Sequence, residues 1–128
     1  MLAFTTGVAA TLVVTPGIDA PCASRVQVRL FFGLRTPDGA VSDDEWARFL
    51  AEVVTPRFPR GLTVVRAAGQ WRPPDRSDVV EEAARVVEIV DDEGTGLQRR
   101  AREVVAIYRK QYRQQSVMLT KARVEVCF

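Results

Sequence analysis

The chain has no histidine and only two cysteines, Cys22 and Cys127. Without an imidazole there is no Ser-His-Asp or Cys-His relay and no His-ligated metal, and two thiols fall short of a four-ligand zinc site. No metal and no cofactor are assigned. Neither sign of charge dominates: 18 Lys and Arg stand against 16 Asp and Glu, leaving +2. That balance gives little drive to neutralise phosphates, so nucleic acid is not expected as a partner. Aromatic residues are sparse, at 8%, and do not interleave with basic residues along a strand as base stacking would require. What is present is 47% hydrophobic residues in 128, enough for one compact core.

Residues 1–24 form an apolar N-terminal segment. From Met1 to Ile18 there is no charged side chain, and Leu2, Phe4, Val8, Leu12, Val13 and Val14 precede Pro16 and Gly17. The stretch reads as the apolar part of an export signal, which would deliver the protein to the periplasm or the exterior. No Lys or Arg precedes it, and Asp19 and Pro21 depart from a small-residue cleavage site. If retained, it would be an extra strand or arm of a cytoplasmic protein. Gly7 interrupts it, and it falls short of the about 20 apolar residues of a comfortable membrane span, so no stable span is expected.

Residues 25–128 read as a single domain in which the hydrophobic period switches between two and about 3.6. Val26, Val28, Leu30, Phe32 and Leu34 alternate with Arg25, Gln27, Arg29, Phe31 and Gly33, which predicts a strand with one buried face. After a turn at Thr36–Gly39, Ser42-Asp43-Asp44-Glu45 forms a capping box, with Val41 and Trp46 placed as a hydrophobic staple. Trp46, Phe49, Leu50, Val53 and Val54 recur at helical spacing, and Thr55-Pro56 predicts the helix end. A second strand is expected from about Leu62 to Trp71 and a third from about Arg85 to Val90, with Val79 to Ala84 leading into it. Gly94-Thr95-Gly96 opens a helix carrying Leu97, Ala101, Val104, Val105, Tyr108 and Tyr112, and a last strand runs from Val117 to Phe128. The order βαββαβ predicts an α+β, ferredoxin-like sandwich with two helices on one face of a four-stranded antiparallel sheet.

Several segments carry a resemblance. Thr55-Pro56-Arg57-Phe58-Pro59, Gly61-Leu62-Thr63-Val64, Gly69-Gln70-Trp71-Arg72, and Tyr108 with Tyr112 and Gln114-Gln115-Ser116-Val117 resemble, in order and spacing, the bacterial family called domain of unknown function 3574. The resemblance runs from about Arg29 to Phe128. Val79 to Ala84, Tyr112 and Gln115 depart from the family's pattern. The resemblance implies an N-terminal export signal and relatives, but no activity.

Charge is segregated along the chain. Residues 73–93 hold eight acids against Arg76 and Arg85, while residues 94–128 hold eight basic residues against Glu103 and Glu125. This gives either a basic helix face that attracts an anionic partner or a solvated face paired with the acidic segment. Asp91, Asp92 and Glu93 have no calcium-loop spacing. They would also repel a phosphate at the Gly94–Gly96 turn.

The candidate ligand-binding residues are Arg57, Trp71, Arg72, Tyr108, Gln114 and Ser116, a cationic, aromatic and amide set suited to a small anionic or polar ligand. Two function classes follow. One is a non-catalytic exported domain that binds a ligand or partner. The other is a small cofactor-free isomerase- or lyase-like enzyme, with Tyr108 or a carboxylate as base and Arg57 or Arg72 as anion clamp.

Two further expectations concern the sheet. With strand order 4-1-3-2, Gln27, Arg29 and Phe31 lie on the face away from the helices, and Arg29 falls between Glu125 on the last strand and Val86, Glu88 and Val90 on the third. Phe31, Val86 and Val90 make that face apolar, so either two such faces pack in a homodimer or residues 1–20 cover one. Cys22 and Cys127 lie at neighbouring ends of antiparallel strands, which favours a disulfide in an exported protein. Parity opposes it, setting Cys22 with the inward set and Cys127 with Arg123 and Glu125 on the outward one, unless Pro21 breaks the strand first.

Overall fold

A computed structural model describes residues 21–128. The N-terminal apolar segment up to residue 20 lies outside the described residues. Six strands and two helices follow: β1 (Ala23–Gly33), β2 (Arg35–Thr36), β3 (Gly39–Ala40), α1 (Asp43–Phe49), β4 (Thr63–Trp71), β5 (Val80–Asp91), α2 (Leu97–Gln111) and β6 (Met118–Val126). β2 and β3 are a two-residue hairpin formed around the expected turn. The other four strands make one antiparallel sheet in the order β4-β5-β1-β6. This is the ferredoxin-like arrangement.

The capping box is present in both directions: Ser42 Oγ accepts from the Glu45 amide at 3.2 Å, and Glu45 accepts from the Ser42 amide at 2.8 Å. The Ser42 bonds, first to backbone and then to side chain, hold the Glu45 carboxyl below its ordinary value. α1 does not stop at Thr55. It widens into a π turn over Leu50–Val54 and passes into a 3-10 turn, Thr55–Arg57, with Thr55 still in the right-handed helical region. Pro56 occupies the first turn of that short helix, where its missing N–H leaves no bond unmade.

β1 supplies the inward row Val26, Val28, Leu30, Phe32 and Leu34, buried against Trp46 and Phe49 of α1 and Leu97, Ala101, Val104 and Tyr108 of α2. Phe32 sits at the hub, with edge-to-face contacts to Trp46, Phe49 and Tyr108 at centroid distances of 5.3, 5.9 and 4.7 Å. β5 is longer than the sequence pattern shows, because its acidic first half still pairs with β4 out to Trp71↔Val80. A side chain at Gly33 would have to displace the end of the Glu82 side chain. The Glu82 carboxylate, which accepts the Arg35 amide at 2.9 Å, lies 2.5 Å from where a Cβ on Gly33 would stand.

The register corrects one expectation. Arg29 lies opposite Glu88 on β5, as read from the sequence, but opposite Thr120 on β6 rather than beside Glu125. Buried Val26 and Val28 pair with Arg123 and Lys121, so Arg123, Glu125 and Cys127 continue the helix-side row. At this sheet edge charged side chains on the helix side still reach solvent, and Arg123 pairs with Glu93 at 2.5 Å. Ala23 pairs with Val126, which puts Cys22 directly opposite Cys127 just beyond the strand ends, and the two sulfurs are bonded.

Candidate functional site

The six residues singled out from the sequence are not assembled into one cleft. Tyr108 is wholly buried between sheet and helices, and its hydroxyl donates to the Gly33 carbonyl at 2.8 Å. Burial, reinforced by Tyr112 and Glu82, raises its pKa well above the ordinary tyrosine value. A buried, engaged and harder-to-ionise phenol is poorly placed to act as a base. Arg57 donates to the Val53 carbonyl at 2.9 Å and reaches Glu103 at 3.5 Å. Gln114 donates to the Arg35 carbonyl beside the small hairpin. Trp71 ends β4 and is 54% exposed, and Arg72 and Ser116 are exposed. Their types suited one site, but sequence alone could not measure the distances between segments. Tyr108→Phe removes one buried hydrogen bond and is expected to lower stability by about 1 kcal/mol without changing the fold, as urea unfolding would measure.

The chain instead brings together charged residues around Asp91. Alternation along β5 turns Arg85, Val87, Ile89 and Asp91 inward, so two charges at the ends of this row are buried. Arg85 donates to Asp43, in the first turn of α1, at 2.7 Å. One carboxylate oxygen of Asp91 accepts from Arg60 at 2.7 Å and from the Asp92 amide at 2.8 Å, and the other accepts from Arg100 at 3.1 Å. Burial by itself would raise the Asp91 pKa. The Asp92 amide, Arg100 and Arg60 outweigh it and hold the carboxyl below its ordinary value. Arg100 also donates to the Arg57 carbonyl at 2.6 Å and lies over the Phe58 ring, 5.3 Å from its centre. Asp91, Arg60, Arg100 and Phe58 line a cavity of about 330 Å³ with Pro59, Gly61 and Thr95. Three donors already engage its carboxylate, and they tie the end of β5 to α2 and the loop after α1. The signal for it was the parity of Asp91 with Val87 and Ile89.

The second feature is the sheet face opposite the helices. One row across all four strands is Met118, Phe31, Val86 and Val65, and the next is Thr120, Arg29, Glu88 and Thr63. Arg29 Nε lies 2.5 Å from Glu88 Oε2. Together these rows form a shallow groove of about 280 Å³ lined by Arg29, Phe31, Thr63, Val65, Val86 and Glu88. Val65 is 49% and Met118 56% exposed. β6 turns its apolar set, Ala122, Val124 and Val126, to this face and its charged set, Lys121, Arg123 and Glu125, toward the helices. That orientation is the reverse of what a solvent-washed face would select.

Among solved structures, a phage SAM lyase in complex with S-methyl-5'-thioadenosine is similar with a TM-score of 0.58 and 16% identity, over 81% of this chain and 90% of that one. A phage SAM lyase in the apo state gives 0.56 and 15%, over 92% and 97%. At such identities the likeness shows the fold alone. No curated protein matches. The model of the family described as protein of unknown function (DUF3574) matches residues 27–128, a span that holds both helices, both features above and every strand except the start of β1. The chain belongs to that family.

Proposed function

We propose that the protein is an exported, non-catalytic binding module whose recognition surface is the sheet face away from the helices. The observation that carries this reading is the apolar row Met118–Phe31–Val86–Val65, which spans the full width of the sheet with two members about half exposed. Such contiguous apolar surface is uncommon on a protein that works alone and marks an interaction site. Export is supported by the uncharged N-terminal stretch and by the Cys22–Cys127 bond, which an oxidising compartment would preserve. The enzyme reading has less support, since Tyr108 is sealed in the core and the best-placed carboxylate, Asp91, is held ionised by its donors.

Met118 supplies the test, because a thioether shielded by a partner oxidises slowly and an exposed one quickly. Peptide mass spectrometry after brief peroxide treatment of cells expressing the protein is expected to show Met118 protected several-fold relative to the urea-unfolded chain. Equal oxidation in the two states would overturn the reading.

A further inference from the structure

We infer that the occupant of the open sheet face is a second copy of this chain, packed face to face about a two-fold axis that runs along the strands midway between β1 and β5. This rests on the reading of that face as an interaction surface and names its partner.

The pattern of the face is self-complementary about that axis. A half-turn about the strand direction exchanges the two sides of the sheet and keeps each row at its own height. It therefore lays β1 over the partner's β5, and β6 over the partner's β4. In the polar row, Arg29 and Glu88 are opposite one another on the two central strands. The half-turn sets Arg29 against the partner's Glu88, and Glu88 against the partner's Arg29, so four charges close into an alternating square. In the apolar row, Phe31 meets the partner's Val86 and Met118 meets the partner's Val65, with the reciprocal contacts on the other side. Like charges do not oppose each other at the centre, and no buried charge is left without a partner. A face carrying charges of one sign would repel its own copy. Nearby, Arg25 is paired with Asp92 at 3.0 Å, so that pair adds no net charge to the rim.

Size agrees with this occupant. Strands about 4.8 Å apart that rise about 3.3 Å per residue give a four-stranded face of roughly 600 Å², which side chains roughen toward the about 800 Å² per partner of a stable interface. Two such sheets stack about 10 Å apart in the aligned packing of β-sandwiches. The outward turn of Ala122, Val124 and Val126 on β6 extends the apolar contact past the centre.

The test is a charge swap read as mass in solution by sedimentation. The purified wild-type chain is expected at twice the chain mass, dissociating on dilution. Arg29→Glu gives two acids per face and Glu88→Arg two bases, and each variant alone is expected to associate at least about 30-fold more weakly. Mixing the two variants is expected to restore the dimer, as a heterodimer, because each acid then meets a base on the other chain. That rescue cannot come from repair within one chain, since each variant keeps its own like-charged pair. Both lie on the sheet face away from the helices, and a wild-type far-UV circular dichroism spectrum with a cooperative thermal transition would show that they fold.

A wild-type chain of single mass at the highest soluble concentration overturns the inference. So does a mixture of the two variants that stays monomeric. If that monomer still protects Met118 in cells, the binding reading stands and the occupant is another protein. If the purified monomer protects Met118 by itself, residues 1–20 of the same chain cover the face. If Met118 is fully reactive throughout, both the dimer and the binding reading fall.

Discussion

Reducing the Cys22–Cys127 bond is expected to lower the unfolding free energy by about 4–5 kcal/mol. The bond joins residues 105 apart in sequence, so it restrains nearly the whole described domain in the unfolded state. Loop-closure entropy grows with the logarithm of loop length, and a loop of about 100 residues lies near the upper end of what one bridge contributes. The loss should lower the thermal midpoint by about 15 °C for a domain of this size. The folded structure should change little, because Cys22 and Cys127 are exposed and flank strand ends already paired at Ala23↔Val126. Thermal unfolding with and without reductant, beside a Cys22→Ser/Cys127→Ser variant, checks this. The variant should match the reduced wild type and be insensitive to reductant. Coincident wild-type curves with and without reductant would contradict the expectation.

Asp91→Ala is expected to cost about 3 kcal/mol. The carboxylate is 7% exposed and accepts from Arg60, Arg100 and the Asp92 amide. Its removal strands Arg100, whose side chain is only 21% exposed and whose Nε already has no acceptor among the described residues. The cost falls at the low end for a broken buried pair, because Arg60 is 65% exposed and can return to water. Asp91→Asn should lose less, since the amide oxygen can still accept. The same carboxylate predicts a pH dependence. Its folded-state pKa is lowered, so its stabilisation is complete above the unfolded carboxylate value of about 4 and is lost as the pH falls through the folded value. Urea midpoints measured downward from neutral pH should therefore fall more steeply for the wild type than for Asp91→Ala. Parallel profiles would mean that Asp91 does not titrate as its contacts require.

Local pattern carried most of the fold. The alternation of Val26 to Leu34 required one buried face on β1, the capping box fixed where α1 begins, and the 3.6-residue spacing of Leu97 to Tyr112 set the buried side of α2. Each depends on neighbours within a few residues, and such interactions are written directly in the chain. The candidate site was less legible. Arg57, Trp71, Arg72, Tyr108, Gln114 and Ser116 have suitable chemistry, but side-chain type says nothing about which ends of which elements converge. Tyr108 shows the difficulty: its place in the helical repeat marks it as buried, yet its hydroxyl suggested chemistry that its bond to Gly33 uses up.

The facing of β6 shows where sequence stops. Its residues alternate cleanly, with Thr120, Ala122, Val124 and Val126 on one side and Lys121, Arg123 and Glu125 on the other. Parity determines that these sets face opposite ways but not which way each faces, because shifting the register by one residue exchanges them. Pairing with β1 made the choice, placing the apolar set on the face away from the helices and bringing Cys127 opposite Cys22. The sequence alone thus determined the βαββαβ order, the inward row of β1 and the charge of each segment, all of which follow from short-range periodicity. Only the tertiary structure decided that Asp91 gathers Arg60 and Arg100, and that the apolar set of β6 joins Arg29, Phe31, Val86 and Glu88 on one face. Those groupings depend on strand register and on the packing of distant segments, which no local interaction specifies.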